Sequence, residues 1–317
     1  MTKQVCCIGE LLIDMFSTDV DVSLKDTENF KRKAGGAPAN VAAMVANLGG
    51  KASMIGKVGN DAFGKFLIET LKQYKVDTSM VKKDEKLPTT IAFVSRDADG
   101  ERDFQFNRGA DQNLEQQDLS LNKIWKSSIF HFGSATALLE GALQRTYLDL
   151  MQDAKTKNKF ISFDPNYRED LWKENKQSFK KGSKEAISKA DFVKVSVEEL
   201  LIISEEEDLH KGIAKFHDLG AKMVVVTMGK DGSIVSDGQR KEVVPSQHIK
   251  AVDTTGAGDA FVGAALYQFS RKIDEGKDIM EEDFDYLREV IRFANGAGAA
   301  VCTKVGSLTA LPSIEEI

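Results

Sequence analysis

Phe160-Ile161-Ser162-Phe163, Phe192-Val193-Lys194-Val195 and Met223-Val224-Val225-Val226-Thr227 are three short apolar, β-branched runs. Stretches of helical period at residues 176–188 and 213–219 separate them. Strand, helix, strand at this spacing calls for right-handed crossovers, because a parallel neighbour is out of reach of a tight turn. A sheet built this way is covered on both faces, so its strands read as unbroken apolar runs. The alternation continues towards the N-terminus. Residues 129–132, 54–58 and 5–8 read as further strands, and 138–154, 62–74 and 40–48 as helices. The expected fold class is therefore α/β, a mostly parallel Rossmann-like sheet flanked by helices.

Two places break the rhythm. Between Ile13 and Ala34, and again between Thr89 and Arg108, helical period is lost. Asp103-Phe104-Gln105-Phe106 alternates polar and apolar, as a half-exposed antiparallel strand does. A small β-sheet inserted from about 13–34 and 89–108 is expected, the α/β core coming from the remainder of one domain over 1–317. The acidic run Glu205-Glu206-Glu207-Asp208 reads as a solvated turn.

Composition narrows the class. With 42% apolar residues, 18 of them Phe, the 317-residue chain has ample material for a core and is not disordered. Lys and Arg number 43 against 49 Asp and Glu, a net charge of −6. A nucleic-acid-binding surface calls for the opposite sign. Cys6, Cys7 and Cys302 are too few for a disulfide framework, and adjacent Cys6 and Cys7 cannot bridge without strain. They read as buried thiols of a reducing cytoplasm. Glu10 and Asp14 interrupt the first apolar stretch, so no secretory signal is expected, and no run of about 18 apolar residues suggests a membrane span.

Four glycine-rich stretches compete as sites. Asp253-Thr254-Thr255-Gly256-Ala257-Gly258-Asp259 lies between a strand expected at 248–252 and a helix expected at 260–269. A helix opened by a glycine turn offers unpaired amides and partial positive charge, which suits a phosphate. Asp259 could be a plain helix cap. Beside a phosphate cradle, however, a carboxylate is poor for binding and well suited to taking a proton from a hydroxyl. Ala34-Gly35-Gly36-Ala37-Pro38-Ala39-Asn40 brings backbone and an amide that both donates and accepts to the start of another helix. Taken alone, it is ordinary turn chemistry. Thr227-Met228-Gly229-Lys230-Asp231-Gly232 follows a parallel strand, where ligands bind in open α/β sheets, yet by itself it is a hairpin turn. Gly59-Asn60-Asp61-Ala62-Phe63-Gly64-Lys65-Phe66 matches Gly-x-x-x-x-Gly-Lys, but Phe66 stands where a hydroxyl must ligate Mg²⁺, and Asp61 reads as a cap that places Gly64 inside a helix. His131, His210, His217 and His248 show no ligand spacing, no Gly-x-Ser-x-Gly elbow occurs, and no dinucleotide fingerprint follows the first strand.

Gly35-Gly36-Ala37-Pro38-Ala39-Asn40 and Asp253-Thr254-Thr255-Gly256-Ala257-Gly258-Asp259 resemble the two signatures of the ribokinase-like (PfkB) carbohydrate kinases, in order and over essentially the whole chain. Within the family, Gly9-Glu10-Leu11-Leu12-Ile13-Asp14 and Asp164-Pro165-Asn166-Tyr167-Arg168 followed by Leu171-Trp172 are most similar to fructokinases. The resemblance implies an α/β core with a β-lid. It makes Asp259 the catalytic base and Gly256, Ala257 and Gly258 the anion hole. It gives Asp14, Gly35, Gly36 and Asn40 to sugar hydroxyls, Phe106 and Arg108 to the lid over the sugar, and Arg168 to sugar and phosphate. It sets Lys194, Ser196, Thr227, Gly229, Gly232 and Asn295 along ATP. Glu199 matches the acid of an Asn-x-x-Glu element that organises Mg²⁺ through water, whereas Ser196 departs from its Asn. Asp253, Thr255 and Gly306 match a K⁺ site. The implied reaction is phosphorylation of the primary hydroxyl of a hexose, D-fructose first. 2-Keto-3-deoxygluconate and ribose or a riboside are the alternatives within the family, and a non-catalytic sugar sensor is a remote one. Polar candidates around the sugar favour a bare hexose over a nucleoside, and the lid's edges suggest a homodimer.

Overall fold

The computed structural model describes residues 4–19, 21–96 and 102–317. Val20 and residues 97–101, which belong to the two expected insertion segments, lie outside the described residues, as do residues 1–3. The chain opens with β1 (Gln4–Ile8), β2 (Leu12–Ser17) and β3 (Phe30–Gly35), then α1 (Ala37–Asn47), β4 (Lys51–Gly59), α2 (Ala62–Gln73) and β5 (Asp77–Asp84). Strands β6 (Ile91–Arg96) and β7 (Arg102–Asn107) precede the short α3 (Leu121–Ile124), β8 (Ile129–Gly133), α4 (Ala142–Thr156) and β9 (Phe160–Asp164). Next come α5 (Glu169–Trp172), α6 (Lys176–Ile187), β10 (Phe192–Ser196), α7 (Val197–Ser204), α8 (Leu209–Leu219) and β11 (Met223–Thr227). A hairpin of β12 (Ser233–Ser236) and β13 (Lys241–Val244) leads to α9 (Ala257–Asp274) and α10 (Phe284–Val301).

Among the described residues nine strands form one sheet in the order β13-β12-β11-β10-β9-β8-β1-β4-β5. Its seven strands from β11 to β5 pair in parallel, and the β12–β13 hairpin adds an antiparallel edge. Successive side chains on a strand point to opposite faces. Cys6 and Ile8 therefore enter the apolar cluster under α4, α6 and α7, while Val5 and Cys7 enter the one under α1, α9 and α10. Both faces are buried, which is why the strands read as continuous apolar runs. All three cysteines are free and buried, and burial pushes the Cys6 thiol up to about 12, so these thiols pack and do not react.

Strands β3-β2-β6-β7 form a separate small sheet, antiparallel except for the β2–β6 pair. Among the described residues no helix is long and apolar enough to cross a membrane.

Asp61 caps α2, its carboxylate accepting the Gly64 N–H at 2.8 Å, so Gly64 lies inside the helix and no phosphate loop exists there. The acidic run is more than a solvated turn. Glu205 ends α7 with φ 58° and pairs with Lys180 and Lys184 of α6, while Asp208 caps α8. The strand expected at 248–252 does not form. Pro245 cannot extend the β13 ladder, and Ile249 and Val252 are exposed rather than packed; the Val252 and Asp253 N–H groups both turn to the Cys302 carbonyl.

Candidate active site

At the carboxyl ends of the parallel strands, beneath the small sheet, lies a cavity of about 420 Å³. Its floor is the start of α9. Gly256 precedes that helix with φ 80°, in the left-handed region, and a Cβ there would sit 2.6 Å from the Cβ of Ser307. A Cβ on Gly258 would lie 3.0 Å from Lys194 Nζ. The turn therefore needs glycine for backbone angle at one position and benefits from it for clearance at the other.

Asp259 follows one residue later, and its Oδ2 accepts the Asn40 amide at 2.8 Å. Burial raises its carboxyl to about 6; the Asn40 bond opposes the rise, Asp164 adds to it, and Arg168 and Lys194 oppose it. Asn40 Oδ1 is buried with no partner among the described residues. An unsatisfied buried acceptor is costly unless a ligand supplies the donor. Across the cavity stands Asp14, at about 7. Burial lifts it first, Arg168 and Lys33 draw it down, and Asp259 and Glu10 push it up. Gly35 makes room for it, since a Cβ there would lie 2.0 Å from Asp14 Oδ2.

Lys194 sits on β10 in a 3.0 Å ion pair with Asp164. Burial works against its ammonium, but the Asp164 and Glu199 charges outweigh burial and hold it above the ordinary lysine range. Ser196 and Glu199 form a capping box on α7: Ser196 Oγ accepts the Glu199 N–H, and Glu199 Oε2 accepts the Ser196 N–H at 2.7 Å. Glu199 Oε1 accepts the Tyr167 N–H at 2.8 Å. Both oxygens thus hold backbone, leaving lone pairs for water. Exposed Glu198 faces the same cavity. Two adjacent carboxylates with water between them and a phosphate suit Mg²⁺, which keeps much of its hydration shell and takes few protein ligands. Asp253 accepts the Thr255 N–H and hydroxyl on one oxygen and the Gly306 N–H on the other, gathering the three residues assigned to K⁺ into one loop cluster.

The cavity wall brings together Asp14, Gly36, Asn40, Phe106, Arg168, Lys194, Ser196, Glu199, Thr255, Gly256, Gly258 and Asp259. Other expected residues lie elsewhere. Arg108 is not on this wall, its Nε donating to Asp111 and its Nη2 to the Thr136 carbonyl. Asn295 braces the β12–β13 hairpin, donating to the Val244 carbonyl at 2.9 Å and accepting from Ser233. Thr227 donates to the Val195 carbonyl, and Gly229 and Gly232 shape the turn after β11 with φ 60° and 87°.

Among the wall residues that sequence reasoning missed, four bear on the chemistry. Glu10 is 1% exposed, and its carboxylate accepts from Ser134 Oγ, the Ala37 N–H and the Ala135 N–H; burial holds it at about 7. Phe16 and Phe104 join Phe106, Leu12 and Val94 in an apolar wall under the small sheet, and Glu198 is the fourth. The expected polar surroundings thus hold for one side of the cavity only. The opposite side is aromatic, with the Phe104 and Phe106 rings stacked 6.3 Å apart.

Known proteins are similar to this chain over its whole length. Residues 2–314 match the model of the pfkB family carbohydrate kinases. Fructokinase-1 of Oryza sativa subsp. japonica is 39% identical over all of this chain and 97% of its own. A crystal structure of fructokinase with bound ATP from Xylella fastidiosa superposes with a TM-score of 0.89 at 30% identity, covering 100% of this chain and 97% of that one. A fructokinase double mutant from Vibrio cholerae O395, bound to fructose, ADP and potassium ion, gives 0.85 at 31%, covering 98% and 96%. With its glycine turn, its Asn40–Asp259 pair and whole-length similarity to these enzymes, the chain belongs to the pfkB family of carbohydrate kinases.

Proposed function

We propose that this kinase transfers the γ-phosphoryl group of ATP to the primary hydroxyl of D-fructose, giving fructose 6-phosphate and ADP. The observation that carries the reading is Asp259, half-buried at the opening of α9, accepting from the Asn40 amide and sharing one cavity with Asp14 and Arg168. Asp14, Asn40 and the backbone at Gly35 and Gly36 hold the sugar hydroxyls. Asp259 takes the proton as the hydroxyl oxygen attacks phosphorus. The N–H groups at Gly256, Ala257 and Gly258, with Lys194 and Arg168, stabilise the charge on the migrating group. Glu198 and Glu199 would hold Mg²⁺ through water, and the ion would supply neutralisation of phosphate charge when bound. Asp253, Thr255 and Gly306 are the K⁺ cluster, and the turn at Thr227, Gly229 and Gly232 borders the nucleotide.

The small sheet acts as a lid on a single kinase domain, its apolar wall excluding water that would otherwise accept the phosphoryl group. Its free edges pair two copies into a homodimer, and three unreactive, unpaired thiols suit the cytoplasm. The test is ADP release over fructose, glucose, ribose and 2-keto-3-deoxygluconate. Fructose should give the highest kcat/KM; equal rates across the panel overturn the acceptor assignment. The keto-acid reading loses Arg108 as its extra cation, since that side chain pairs with Asp111.

A further inference from the structure

We propose that Lys33, to which nothing above gives a role, is a positioning residue of this site: riding on β3 opposite Asp14, its ammonium keeps that carboxylate an acceptor for a fructose hydroxyl. The inference rests on the reading of Asp14 as a sugar ligand.

Three observations place the ammonium there. In the antiparallel pairing of β2 and β3, Lys33 stands directly across from Asp14, and opposite residues on neighbouring strands share a face. Its Nζ lies 4.8 Å from the centroid of the Phe16 ring. Phe16 is two residues beyond Asp14, on the same face of β2, and lines the cavity. A Cβ added at Gly306 would meet Lys33 Nζ at 3.2 Å, so the ammonium also abuts the loop whose Ser307 packs on Gly256.

The charged groups that bear most on Asp14 are Arg168 ahead of α5, Asp259 of α9, Glu10 after β1, and Lys33. Burial favours a neutral carboxylic acid, a weak acceptor for an alcohol proton; a nearby cation restores the anion. Arg168 also opposes the rise at Asp259, so its removal disturbs base and ligand together. Lys33 draws down Asp14 and is absent from the groups that chiefly set Asp259, so its removal falls first on Asp14.

The experiment is the pH dependence of kcat/KM for fructose in the parent enzyme, Lys33→Met, Lys33→Gln and Lys33→Arg. The two neutral variants should move the acid limb upward, with a loss of about threefold to tenfold near pH 6 and little near pH 8.5, the effect of one unit charge across a partly screened gap. In both, kcat at saturating fructose should keep its own acid limb, and Lys33→Arg should retain the parent profile. An acid limb unmoved in both neutral variants overturns the proposal, and so does a loss uniform with pH, which would mark Lys33 as a packing residue. Asp14→Asn separates the two readings. If it leaves KM for fructose unchanged, Asp14 is not a sugar ligand; if KM rises while the Lys33 limb stays fixed, only the role of Lys33 fails.

Discussion

Asp259 holds its proton affinity between two demands. Burial lifts the carboxyl to about 6, and the Asn40 amide keeps it from rising further. At neutral pH it is mostly ionised, yet closer to the operating pH than a solvated aspartate, which is where a general base works best. Asp259→Asn should lower kcat by about 10²–10⁴ while isothermal titration still detects fructose. Because the ionised form accepts the proton, kcat should decline as pH falls through about 6; a profile flat to pH 4.5 removes Asp259 from the role. This residue was legible because a carboxylate right after a glycine turn has a local meaning. Glu10 was not. Its carboxylate earns its place through Ser134 and Ala135, more than a hundred residues along the chain, and no local pattern carries that.

Elements divide the same way. The apolar strand runs and the Asp61 cap were readable because period and capping act within a few residues. The segment at 248–252 misled because β-branched residues are strand-forming only where a ladder partner and a covering face exist. Asn295 on α10 shows how an expected ligand can be committed to structure. It joins Ser233 of β12 to the Val244 carbonyl, all buried. Asn295→Ala removes a partner from both and should cost about 1–3 kcal/mol in denaturant unfolding. If KM for ATP rises several-fold with no loss of stability, the side chain serves the nucleotide and not the hairpin.

Across the whole molecule, the cavity opposes the stability of the fold. Glu10, Asp14 and Asp259 all have folded-state values above the ordinary carboxyl range, at about 7, 7 and 6, with burial the leading cause of each. Between about pH 4 and pH 7 the native chain therefore binds more protons than the unfolded one at these groups. Their contribution is fully present below that window and is lost as pH rises through it. The thermal midpoint should fall from pH 5 to pH 8, and Asp14→Asn should flatten that decline; equal slopes in parent and variant would show that Asp14 takes no part. The aromatic wall of Phe16, Phe104 and Phe106 has a consequence for fidelity. A kinase poised to activate an alcohol errs most readily by spending its nucleotide on the solvent. Phe106→Ala should therefore show itself as futile ATP turnover in the absence of any sugar, a leak the intact rings keep closed.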